Sequence, residues 1–222
     1  MGAAVRTTSR EAAQPAPTGL LARLNRIRHA NAWIYSTMLV SSCLSLIASF
    51  VLSKEAVTLA ANPNASLSCN INAVISCGTV GSAWQSHVFG FPNAFLGLIA
   101  EPVVITLAVA SLAGVRFPRG FMFAAQVVYT LGLIFAYWLF YQSMFHIGAL
   151  CPWCLLVTVS TTLVFSTITQ INVRDGNLFL PRRIGSSLSA AIRANLDLMA
   201  VVSWILVLVL AILVKYGDRL FA

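Results

Sequence analysis

Five apolar runs, each close to the roughly 20 residues a helix needs to cross a bilayer, leave this chain little choice but a membrane. They run from Trp33 to Leu52, Asn93 to Ala113, Phe121 to Tyr141, Cys151 to Ile171 and Asp197 to Val214. The spacing predicts an all-α integral membrane protein with five transmembrane helices. Only 9% of the residues are charged, against roughly a quarter in soluble domains, so the runs are not buried core helices of a water-soluble fold.

The net charge of +8 could point to nucleic acid, but its distribution points to topology. Arg6, Arg10, Arg23, Arg26 and Arg28 precede the first run. Arg116 and Arg119 lie between the second and third, and Arg174, Arg182, Arg183 and Arg193 between the fourth and fifth. These eleven of the 14 basic residues would share one side, leaving Lys54, Lys215 and Arg219 on the other. Cytoplasmic loops carry the excess of Lys and Arg. The N-terminus is therefore expected in the cytoplasm and the C-terminus outside, with no nucleic-acid partner. Three regions follow: a basic cytoplasmic tail over 1–30, four spans over 31–172 with an outer loop at 54–92, and a cytoplasmic loop plus fifth span over 173–222. The outer loop mixes turn formers with apolar residues, which predicts a short amphipathic helix on the membrane surface.

That topology puts Cys69, Cys77, Cys151 and Cys154 on the outer, oxidising face. Cys151-Pro152-Trp153-Cys154 opens the fourth run, where a helix N-terminus favours thiolate over thiol and Pro152 suits the first turn. At about 1.5 Å rise per residue, Cys154 lies roughly 4–5 Å deeper than Cys151. Cys151 would face the loop and water, and Cys154 the lipid and anything dissolved in it. A thiol–disulfide relay between the loop pair and the helix pair suits this arrangement. Two inert structural disulfides, making a non-catalytic membrane protein, and a four-thiolate zinc site are the competing readings. Cys43 sits mid-span without a partner and reads as a small packing residue.

Cys69-x7-Cys77, then Gly90-Phe91-Pro92-Asn93-Ala94-Phe95-Leu96-Gly97, then Cys151-Pro152-Trp153-Cys154, together resemble the vitamin K epoxide reductase family over about residues 30–172. The resemblance implies a four-helix bundle around a quinone. Bacterial members are similar to disulfide-forming enzymes that oxidise a thioredoxin-like (DsbA-like) protein and reduce membrane quinone, whether menaquinone, ubiquinone or vitamin K. Carried over by position, Cys69 and Cys77 would be the shuttle pair, Cys77 would attack the disulfide at Cys151, and Cys154 would deliver electrons to quinone. Asn93 matches the asparagine that hydrogen-bonds a quinone oxygen, and Ser82 lies near the family's serine in a loop one residue shorter. Thr158 stands where the animal enzymes have tyrosine. No thioredoxin-like domain is expected in the seven residues after Lys215, so the partner would be a separate protein and no metal is implied. A bacterial inner or plasma membrane is the expected location. Vitamin K epoxide reduction in the endoplasmic reticulum is the same-family alternative, for which Asn64-Ala65-Ser66 would be an outer glycosylation sequon.

Other residues have two readings. Glu101 near mid-span is either functional or a hydrogen-bonded structural acid. His146 and His87 are either proton relays or solvated histidines. Trp84, Phe89, Phe91 and Trp153 either seal a quinone site or anchor the loop at the interface.

Overall fold

The computed structural model describes residue 27 and residues 30–67, 69–72 and 74–220. Among them, five helices are long and apolar enough to cross a membrane. A bilayer core supplies no water to backbone groups, and a helix satisfies them within itself. The chain is an all-α membrane protein. Helix α1 spans Asn31–Ala61, α2 Cys77–Ser82, α3 Ala94–Leu112, α4 Arg119–Gln142, α5 Pro152–Arg174, α6 Arg182–Arg193 and α7 Leu196–Leu220. A 3₁₀ turn, Trp84–His87, follows α2, and a single π turn, Ser143–Ile147, ends α4. Gly148 (φ 77°) then takes the left-handed conformation that lets the chain reverse into α5.

Helix α1 is the centre of the bundle, packed on α3 and α5, and α4 closes against α5. The packing face of α1 is serine-rich: Ser41, Ser42, Ser45, Ser49 and Ser53 are all buried. Small side chains let helices approach closely where lipid supplies no hydrophobic drive. At Gly97 of α3 a Cβ would meet Ser49 Oγ at 2.1 Å and its Cβ at 2.8 Å. Gly97→Ala is therefore expected to push α1 and α3 apart, costing about 1–3 kcal/mol as overpacking does. A lowered thermal midpoint of the purified protein in detergent would register it, and an unchanged midpoint would contradict it.

Buried polar groups hold the interior together. Glu101 accepts from Ser45 Oγ (2.7 Å) on one oxygen and Tyr129 Oη (3.0 Å) on the other, joining α1, α3 and α4. Asn172 donates to the Met122 carbonyl (3.0 Å) and Gln126 Oε1 (3.1 Å), joining α5 to α4. Around them pack Met38, Leu107, Val164 and Ile168. At this end Arg174 reaches Asn31 (2.5 Å) and Arg119 reaches the Gly176 carbonyl (2.5 Å), so basic side chains gather where α1 begins.

Several boundaries differ from those read in the sequence. Helix α1 does not stop at Lys54 and Glu55; it continues to Ala61, so the outer loop begins at 62 and not 54. Lys and Glu are good helix formers, and Ala56, Val57, Leu59 and Ala60 carry the helix on. Pro63 ends it by disfavouring helical geometry at Asn62, which is extended (φ −145°, ψ 100°). The polar stretch 172–195 contains a helix, α6, in which Ile184, Leu188 and Ile192 recur every fourth residue. Helix α7 extends beyond Val214 and leaves Val202, Leu206 and Leu210 exposed, a lipid-facing pattern. Its end is tied to the π turn, where Tyr216 Oη donates to the Met144 carbonyl (2.7 Å) and Lys215 Nζ donates to the same oxygen. The expected tail over 1–30 lies outside the described residues, except Ile27 and Ala30.

Candidate active site

The loop between α1 and α3 is pinned onto the start of α5 by main-chain pairing. Ile75 and Leu150 form a parallel bridge, with Ser76 N–H donating to the Leu150 carbonyl (3.0 Å) and Leu150 N–H to the Val74 carbonyl (2.7 Å). Asn72 prepares this segment by accepting from the N–H groups of Val74 (2.9 Å) and Ile75 (2.7 Å), a side-chain turn typical of asparagine. Ser76 caps α2 by accepting from Thr79 N–H (3.2 Å). The residue after the bridge on one strand is Ser76 and then Cys77; on the other it is Cys151. Pairing the strands therefore brings these two cysteines together.

Cys69 and Cys77 are joined as a disulfide, with Cα atoms 5.6 Å apart. Cys77 Sγ lies 3.2 Å from Cys151 Sγ, and Cys151 is free, as is Cys154. Three sulfurs thus stand in sequence, Cys69 bonded to Cys77 and Cys77 touching Cys151, with Cys154 one helical turn below. Cys151 is the N-cap of α5 and its sulfur accepts from Cys154 N–H (3.4 Å). A hydrogen bond from the Cys154 thiol, joined by those from the Cys154 and Trp153 N–H groups, holds the Cys151 thiol below its ordinary range despite burial. The thiolate therefore persists to lower pH than that of a free cysteine. In a reduced Cys77→Ala variant, iodoacetamide should label Cys151 with a midpoint below the ordinary thiol range. Peptide mass spectrometry across a pH series measures this, and a midpoint at or above that range contradicts it.

Glu55, Cys69 and Cys77 place donor atoms within 4.8 Å of one another. Zinc is held by thiolates, and the two sulfurs of a disulfide are not thiolates, so with this bond formed the group offers a metal only the Glu55 carboxylate.

Beneath the sulfurs is a cavity of about 230 Å³. Cys154, Thr158, Asn93, Gly97, Tyr129 and Phe135 are among the residues that line it, and most of its wall is apolar. Asn93 Nδ2 donates to the Gln85 carbonyl (2.7 Å), while Asn93 Oδ1 is buried with no partner among the described residues. An orphaned polar atom in an apolar cavity calls for a ligand with few, well-placed polar atoms. A hydroquinone head group, two hydroxyls on a flat apolar ring, fits that description, because its O–H can donate to Oδ1.

A family model described as vitamin K epoxide reductase family matches residues 36–169, the four-helix bundle and all four of these cysteines. The chain belongs to that family. No curated protein matches it. Membership in the vitamin K epoxide reductase family makes the protein an oxidoreductase of the quinone-linked, disulfide-generating kind.

The other expected residues of this family member separate into two groups. Thr158 is buried on the cavity wall, its hydroxyl donating to the Cys154 carbonyl (2.9 Å). Ser82 is exposed at the end of α2 and is not among the lining residues; Ser86, whose hydroxyl donates to the Val80 carbonyl (2.5 Å), lines the cavity instead. Ser86 belongs to the 3₁₀ turn that follows α2. His87 borders the cavity, whereas His146 is exposed and rests edge-on against Tyr141, 5.6 Å between rings. Trp84 meets Trp138 of α4 (6.2 Å) and Phe89 meets Phe135 (5.4 Å), so these aromatics fasten the loop to the bundle above the cavity. Cys43 stays free and unpaired. Glu55 was not singled out by sequence reasoning. The signal lay in the apolar residues that resume after it, which place it inside a helix under the loop and not at the start of the loop.

Proposed function

We propose that this protein oxidises a separate thioredoxin-like protein at the extracytoplasmic face of a bacterial cell membrane and passes two electrons to a membrane quinone. The observation that carries the reading is the 3.2 Å approach of Cys77 Sγ to Cys151 Sγ, directly above a cavity that Cys154 lines. Two inert disulfides would have no need of a free thiol touching a disulfide sulfur. The sidedness rests on Arg119 and Arg174, which sit at the end of the bundle away from the cysteines.

Cys69 is the entry point, at 7% exposed against 3% for Cys77. A thiolate of the partner attacks Cys69 Sγ, the Cys69–Cys77 bond breaks, and Cys77 leaves as thiolate. The partner's second cysteine then attacks its own sulfur in the mixed disulfide, leaving the partner oxidised and Cys69 as a thiol. Cys77 attacks Cys151 of the Cys151–Cys154 disulfide and Cys154 leaves as thiolate, facing the cavity. Cys69 resolves the Cys77–Cys151 bond, restoring its own disulfide and releasing Cys151, which the α5 N-terminus and its hydrogen bonds make a good leaving group. A bound quinone supplies an acceptor for two electrons and two protons. Asn93 would orient it by donating a side-chain amide N–H to a quinone oxygen, its Oδ1 accepting from a hydroxyl of the reduced form, and Thr158 and Phe135 would shape its walls.

The test is the purified full chain in vesicles with a reduced thioredoxin-like protein and a soluble quinone. One partner disulfide should form for each quinone consumed. Partner oxidation without quinone loss, or neither, would refute the reading. Faster turnover of vitamin K epoxide than of any quinone would transfer it to epoxide reduction.

A further inference from the structure

Beside the entry disulfide lies an acid that the relay above does not use. Glu55 sits in the last two turns of α1, only 8% exposed, with Oε1 3.2 Å and Oε2 3.5 Å from Cys69 Sγ. No salt bridge among the described residues engages it, although Lys54 is its neighbour in sequence. A disulfide sulfur carries no hydrogen, so an ionised carboxylate gains nothing from this contact. Once the sulfur becomes a thiol, or the carboxyl carries a proton, the same geometry is a hydrogen bond between the two groups. The contact is thus one proton away from being useful in either direction.

We infer that Glu55 is the general acid–base of Cys69, giving it a proton when the partner departs and taking it back when Cys69 attacks. The inference deepens the relay reading and rests on it for the order of the steps. In the first transfer, the partner's second thiolate forms the partner disulfide, and the partner–Cys69 bond breaks with its electron pair on Cys69. The Glu55 carboxyl then protonates that sulfur and becomes carboxylate. In the second, Glu55 carboxylate takes the proton from Cys69 as its sulfur bonds to Cys77. The Cys77–Cys151 bond breaks, and the electron pair leaves on Cys151 as thiolate. The proton ends where it began, so Glu55 turns over with the disulfide and two electrons move inward. Geometry favours Glu55 for this task. Buried sulfurs are cut off from bulk water, and among the described acids it alone touches Cys69. The other titratable groups around it are Lys54 on the same helix, Cys77 on α2, Cys151 and Cys154 at the start of α5, and His87 at the cavity rim.

The test is the rate at which dithiothreitol releases Cys69 from a mixed disulfide with glutathione in the full-length Cys77→Ala protein, read by quenched maleimide tagging between about pH 5 and 9. No quinone is needed, so this readout survives if quinone reduction itself proves absent. General acid–base catalysis contributes roughly 100-fold or more. Glu55→Gln should slow the step by about that factor and leave a pH dependence set only by ionisation of the dithiothreitol; Glu55→Asp should recover part of the rate. If Glu55→Gln fails to accumulate, the Cys77→Ala protein that keeps Glu55 decides: its profile must depart from the ionisation curve of dithiothreitol alone, and Glu55→Asp must shift that departure. A Glu55→Gln protein with the rate and profile of the one that keeps Glu55, or a profile of the latter that simply follows the dithiothreitol, overturns the inference.

Discussion

Cys154→Ala is expected to abolish dithiol-dependent quinone reduction, with a loss on the order of a thousandfold or more, because the residue is asked to deliver the electrons itself. The physical reason is position. Both cysteines line the cavity, but Cys151 is 1% exposed, capped by the α5 backbone and covered by the loop, whereas Cys154 lies one turn deeper. Without Cys154 no disulfide can form at the helix mouth, so Cys77 has nothing to attack and electrons stop at the loop pair. The Cys69–Cys77 disulfide should still form and still be reducible by dithiothreitol, which distinguishes a broken relay from a broken fold. The measurement is quinone absorbance under reduced partner, alongside maleimide counting of the loop thiols. Activity that survives Cys154→Ala would remove the helix pair from the pathway.

Cys69→Ala should produce the opposite phenotype, a trapped covalent intermediate. With Cys69 gone, Cys77 carries a free thiol whose sulfur is 3.2 Å from Cys151 in the native arrangement. It can attack the Cys151–Cys154 disulfide, but no thiol remains to resolve the product. A Cys77–Cys151 cross-link is therefore expected in most of the protein purified without reductant, visible as a linked peptide by mass spectrometry and lost on reduction. Cys69→Ala combined with Cys151→Ala should not show it. Absence of the cross-link from Cys69→Ala would mean that the observed sulfur contact is not an attack geometry. Quinone reduction should fall with it, again by on the order of a thousandfold, since the trapped enzyme cannot accept a second pair of electrons.

How far these arguments could be read from residues alone varies along the chain. The four cysteines and Asn93 stand in local patterns that carry the family resemblance, and the family match over residues 36–169 agrees with that resemblance. Ser82 lies off the cavity wall and Ser86 on it, a distinction made by how the 3₁₀ turn folds over the bundle and by nothing local in the sequence. Glu55 was passed over because an acid beside a lysine after an apolar run looks like the end of a span. What changes that reading is the loop folding back over it, a contact between residues 14 apart.

What the sequence determined by itself was the membrane, the number of long helices and the family. Apolar length and charge distribution act through local physical chemistry: each helix satisfies its own backbone in lipid, whatever its neighbours do. Only the tertiary structure decided which sulfurs touch. The parallel bridge from Ile75 to Leu150 and the small-residue seam of Ser49 and Gly97 arise from pairings between distant segments. A difference of one residue in a loop or one methyl group in a seam moves atoms by an ångström or more, and thiol–disulfide exchange is decided at that scale.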